Sequence, residues 1–73
     1  LARQRRAVRD GETAVERAQQ VLTDEGHEVA DVPEDPYRES NTWLVRAETA
    51  DGETFNVHID AESGEARLAR IGK

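Results

Sequence analysis

The sequence predicts an α+β fold, one helix packed on an antiparallel β-meander, in the order α-β-β-β-β. Three observations carry this reading. Residues 13–25 hold Ala14, Val15, Ala18, Val21 and Leu22 at i, i+1, i+4, i+7 and i+8, a single apolar stripe on a helix. Residues 42–49 and 53–60 alternate apolar and polar positions with period two, the mark of a half-buried strand. Short turns containing Gly52 and Gly64 join these runs to each other and to a third run, 65–71.

Length and composition bound what such a fold can do. At 73 residues the chain is one small domain. Leu, Ile, Val and Phe together number 14 and alanines number 10, so the core is thin and stability is expected to be low. There is no cysteine, which removes disulfides and thiolate metal sites. No apolar run approaches transmembrane length, and no signal peptide is visible. The chain begins at Leu1 rather than Met, which reads as a piece of a longer protein. Net charge is −6, unevenly spread. Arg3, Arg5, Arg6 and Arg9 stand before any acid, while all 16 acids lie in residues 10–73. An acidic body disfavours nucleic acid and anionic membrane as partners.

Two units follow from this distribution: residues 1–10, a basic N-terminal arm or helix extension, and residues 11–73, the folded domain. Leu1, Val8, Val15 and Leu22 fall at seven-residue steps, as a continuous helix would require. Gly11 weakens such a helix at its centre by roughly 1 kcal/mol. The other reading of the arm is a basic segment that touches a membrane surface or nucleic acid.

The main helix is expected over 13–25. Thr13-Ala14-Val15-Glu16 has capping-box spacing, and Asp10 and Glu12 suit a helix start electrostatically. Gly26 is a good stop. Residues 27–32 read as a short strand ended by Pro33 and Pro36, which cannot donate to a ladder. Residues 33–41 read as a polar loop. Tyr37 within it either covers a core edge or serves as a binding anchor.

Register follows from matching apolar faces. A two-residue Asp51-Gly52 turn would pair Arg46 with Val57 and set the apolar rows on opposite faces. A three-residue loop over 50–52 pairs Thr49 with Glu53, so that Ala47 meets Phe55, Val45 meets Val57 and Trp43 meets Ile59. Gly52 then occupies the left-handed position. A four-residue loop over 61–64 sets Ile59 against Ala66, Val57 against Leu68 and Phe55 against Arg70, with Asp60 bonding its own turn amides. The Phe55–Arg70 pair is poor and Ile71 points away from the core, so the last strand is expected to shift register at its end.

The run Asp51-Gly52, then residues 55–61, FNVHIDA, then Ser63-Gly64-Glu65 resembles the end of a PepSY domain. In that family a DG turn, an alternating strand and a D-A-x-(S/T)-G-E turn follow one another. The helix with Ala14 and Ala18 on its inner face fits, and the resemblance covers residues 11–71. PepSY-like domains occur in propeptides of secreted metalloproteases and in bacterial envelope proteins. The resemblance therefore implies a non-catalytic protein-interaction or regulatory module that restrains a secreted protease, in the cell envelope or outside the cell. The matched residues are turn and strand positions, so no inhibitory residue is carried over, and residues 1–9 match nothing in the pattern. A second reading is an architectural domain of a larger envelope or membrane protein, touching membrane through a segment ahead of Leu1. Oligomeric state is not specified by either.

The sequence offers no catalytic constellation, and an enzyme is not expected. His27 and His58 lack metal-ligand spacing. Ser40 and Ser63 have no partnered base or nucleophile elbow. Asp51, Glu53, Asp60 and Glu62 lack a calcium-loop pattern. No cofactor or metal is implied. The candidate surface is instead the sheet face away from the helix, with Leu44, Arg46, His58, Arg67 and Ile71, together with the edge formed by 65–71. This face is either an ordinary solvated one or a dock for a protein partner, a protease or an envelope protein.

Overall fold

The computed structural model describes residues 7–71. Its elements are α1 (Gly11–Asp24), β1 (Val29–Asp31), β2 (Tyr37–Glu39), β3 (Thr42–Thr49), β4 (Thr54–Asp60) and β5 (Ala66–Arg70). The α+β class holds, with one helix on one antiparallel sheet. The order is α-β-β-β-β-β, one strand more than expected. The extra strand, β2, lies in the stretch read as a polar loop. All three of its residues are exposed, so it carries no apolar alternation to detect.

Strands run in the order β1-β3-β4-β5, and β2 also pairs with β3. Strands β1 and β2 are thus two short pieces of one edge. The first pairs Val29 with Thr49 and Asp31 with Glu48 across a bulge; the second pairs Tyr37 with Leu44 and Glu39 with Thr42. Pro33 and Pro36 lie between them, where a continuous ladder would need their missing amides. Residues 40 and 41 close the β2–β3 hairpin, with Ser40 at φ 57. A glycine is the usual occupant of such a position, and serine there hides the turn from a sequence reading.

The meander has the register that face-matching requires. Trp43, Val45 and Ala47 lie opposite Ile59, Val57 and Phe55, and Ile59, Val57 and Phe55 lie opposite Ala66, Leu68 and Arg70. The first loop is closed by Thr49 N–H to Glu53 O at 2.8 Å and Gly52 N–H to Thr49 O at 3.0 Å, with Gly52 at φ 91. Gly52→Ala should cost roughly 1 kcal/mol, because space is open there and the left-handed backbone alone opposes a Cβ. Urea denaturation measures this, and an unchanged midpoint would refute it. The last strand does not slip: Ile71 N–H reaches Thr54 O at 2.9 Å, in step with the ladder. The guanidinium of Arg70 lies over the Phe55 ring at 5.6 Å and bridges Glu53 at 3.4 Å, which makes the Phe55–Arg70 pair serviceable.

The helix starts earlier than the Thr13–Glu16 capping box implies. Asp10 is the N-cap, extended at φ −139 and ψ 170, and its carboxylate accepts from Thr13 N–H at 2.9 Å. A carboxylate there satisfies an orphan amide and meets the positive end of the helix. Gly11 follows because the loop packs tightly against it: a Cβ would lie 2.7 Å from Pro36 Cγ. At the other end Gly26, at φ 92, donates to Thr23 O while His27 donates to Leu22 O. This pair of hydrogen bonds satisfies two of the last carbonyls and stops the helix.

Residues 7–10 are not helical, so the helix does not run through from the arm there. They form a strap across one end of the sheet. Val8 N–H donates to Ala61 O at 2.8 Å, the Trp43 indole N–H donates to Val8 O at 2.9 Å, and Val8 is 2 % exposed. A residue assigned to the arm thereby belongs to the core. The rest of the arm, 1–6, lies outside the described residues. The core joins Val8, Ala14, Ala18 and Leu22 to the inward rows of β3 and β4. Val21, expected in that core, is only half-buried. Ala14, Ala18 and Leu22 take the centre of the stripe and leave Val21 on its flank.

Candidate interaction face

The pleat assigns the outer face of the sheet. Because Val45, Val57 and their neighbours point at α1, the even-numbered residues of β3 and β4 point away from it. Pairing then stacks Tyr37, Leu44, His58 and Arg67 into one row across four strands. Arg46, Asn56 and Ala69 form the next row. Ile71 lies beyond them beside Thr54, on the same face. The five expected face residues are therefore together on one surface. Leu44, Arg46, His58 and Ile71 are half-buried and Arg67 is exposed.

Two features of this surface were not visible in the sequence. Tyr37 is 58 % exposed and stands beside Leu44 rather than covering a core edge. Nothing short of the β2–β3 pairing places it there. Arg46 is held from both sides, by Glu34 Oε2 at 3.3 Å and by Asn56 Oδ1 at 3.4 Å. Its charge is thus partly answered within the domain. Arg38, by contrast, faces inward and lies 5.4 Å over the Trp43 ring.

Acids frame the central rows. Glu39 and Asp60 stand at one end of the face, and Asp31 and Glu48 at the other. A mainly polar hollow at the first end is lined by Arg17, Thr42, His58 and Asp60, among others. Among the described residues no group of three or more His, Asp or Glu is arranged to hold a metal ion, and no helix is long and apolar enough to cross a membrane.

Three aspartates accept local hydrogen bonds, Asp10 as the helix N-cap and Asp51 and Asp60 at turns. Asp60 accepts from Ser63 N–H at 3.0 Å and Glu62 N–H at 2.8 Å, and these bonds hold its carboxyl below the ordinary 3.8. The Thr49 hydroxyl does the same for Asp51, and the Thr13 amide for Asp10. A depressed folded-state pKa means that the ionised form is favoured by folding. The resulting stability is complete above the unfolded pKa and is lost as pH falls through the folded one. The melting temperature should therefore fall as pH drops from about 4 to about 2. Circular dichroism melts check this. The double variant Asp10→Asn, Asp60→Asn should show a shallower acid limb, because an amide oxygen accepts the same bonds without titrating. A limb as steep as the parent's would place the acid sensitivity elsewhere.

Comparison with protein-family models, with curated proteins and with solved structures finds no match to this chain.

Proposed function

We propose that this chain is a non-catalytic protein-interaction or regulatory module whose partner docks on the outer face of the sheet. The observation that supports this is the row Tyr37, Leu44, His58 and Arg67. An exposed tyrosine, an aliphatic group and an arginine stand side by side on a rigid sheet. Tyrosine and arginine are, with tryptophan, the residues most enriched at binding hot spots, and a sheet holds them at little entropic cost. The likeness of residues 51–65 to the end of a PepSY domain supports a regulatory role, with a secreted protease as the restrained partner. The same likeness supports a place in the cell envelope or outside the cell.

The full-length reading frame is the first test. A metalloprotease domain downstream agrees with restraint, whereas an apolar segment directly ahead of Leu1 favours an architectural domain of an envelope protein. With the protease in hand, Tyr37→Ala, or charge reversal at both Arg46 and Arg67, should weaken inhibition by about tenfold or more. The variants should stay folded by circular dichroism. Unchanged inhibition in folded variants, with loss on substituting Glu16 and Gln19 on the outer side of α1, would move the dock to the helix.

A further inference from the structure

The two edges of the sheet are built differently. The β1/β2 edge is broken into three-residue pieces, bulged, and interrupted by two prolines, all devices that block a further strand. The β5 edge has none of them. In the ladder, Asp60 N–H bonds Glu65 O and Ile71 N–H bonds Thr54 O. Odd-numbered residues of β5 therefore face β4, and the backbone groups of Ala66, Leu68 and Arg70 point outward. Among the described residues no strand takes them. Leu68 is half-buried at this margin.

Strand β5 itself is basic within an acidic domain, although Glu65 directly precedes it. Strand β5, ARLAR, carries Arg67 and Arg70 and no acid. Arg17 on α1 donates to Gly64 O at 2.8 Å, just ahead of the strand. Three arginines thus line one margin of a body whose residues 10–73 hold all 16 acids, with Arg70 already bridged to Glu53 at 3.4 Å, so that an incoming acid opposite Arg70 competes with Glu53. From this we infer that β5 accepts an extended acidic segment of a partner protein as an added antiparallel strand. The inference rests on the domain being a binding module and names how it binds. Register dictates the partner's pattern. Acidic residues stand opposite Arg70 and Arg67, and an apolar residue stands opposite Leu68 against the helix flank. A second copy of this chain is the poorer occupant, because β5 against β5 would set arginines near arginines. An acidic segment feels the acidic body, but screening over about 8 Å at physiological salt leaves the contact charges to decide.

The probe is the capped peptide Thr-Val-Glu-Thr-Val-Glu-Thr-Val, with Lys in place of Glu as control, titrated into the labelled domain by NMR. Expected are shifts and slowed exchange at the amides of Ala66, Leu68 and Arg70, with the Lys peptide about tenfold weaker or more. Ala66→Pro removes an outward amide, leaves the β4 ladder intact, and should weaken binding by about tenfold. Arg67→Gln with Arg70→Gln should erase the preference for Glu over Lys. The inference is overturned by equal binding of both peptides, by shifts centred on Leu44 and His58, by no binding at millimolar peptide, or by a folded Ala66→Pro variant with unchanged affinity. Self-association lost on Ala66→Pro would assign the edge to a second copy and overturn it as well. Failure here is separable from failure of the docking face through Tyr37→Ala and Ala66→Pro, since neither residue belongs to the other surface; Arg67 lies on both, so its substitution is read only through the preference for Glu over Lys.

Discussion

Phe55→Ala is expected to destabilise the domain by about 3–5 kcal/mol, enough to unfold most of it. Phe55 is 4 % exposed at the first inward position of β4, opposite Ala47 and Arg70. It is the one phenylalanine in a core otherwise made of aliphatic side chains and Trp43, so its ring is a large share of the apolar volume of a thin core. Its ring also orders two groups from outside the hairpin. The His27 imidazole lies 4.8 Å away at a 53° tilt, and the Arg70 guanidinium covers it at 5.6 Å. Truncation therefore frays the helix C-terminus and the end of β5 together. Phe55→Leu keeps much of the volume and should cost about 1–2 kcal/mol. Urea titration followed by circular dichroism distinguishes the two. Equal, small losses for both would show that the ring is not the centre of the core.

Trp43→Ala is expected to cost a similar 3–5 kcal/mol or so, for a partly different reason. The indole is 9 % exposed and fills the space between β3 and the strap. Its N–H is also the side-chain bond that fixes the Val8 carbonyl. Trp43→Phe isolates the second contribution. It keeps most of the apolar area but leaves a buried carbonyl unpaired, at about 1–3 kcal/mol. Hydrogen exchange at the Val8 amide, which donates to Ala61, should quicken in Trp43→Phe more than exchange at Val45 or Val57. If Val8 stays as protected as the strand interior, the strap does not depend on the indole bond.

These two residues also mark how far a sequence reading reaches. The meander was legible because its signals are local and redundant. Alternation in β3 and β4, the demand that Val45 face Val57, and glycines where the loops need positive φ all agree on one register, and a slip by one residue would have exposed the whole apolar row. The outer positions of Leu44, Arg46, His58 and Arg67 followed from that register without further information, whereas that of Ile71 required the structure, since the last strand was expected to shift at its end and stays in step. The helix was legible from its stripe, but its first turn was not, since Asp10 and Thr13 compete for the cap and only the path of residues 7–10 selects Asp10.

Tertiary structure decided the rest. Every residue before the helix has the same carbonyl, so nothing in the chain singles out Val8 as the acceptor for Trp43. Residues 37–39 have no apolar alternation, and they form a strand because the free edge of β3 supplies backbone partners. That pairing carries Tyr37 onto the outer face, and the same edge brings Glu34 to Arg46. Local pattern determines which groups a segment must bury. Which distant backbone or charge completes it depends on where the chain returns, and a pattern of residue types holds no record of that.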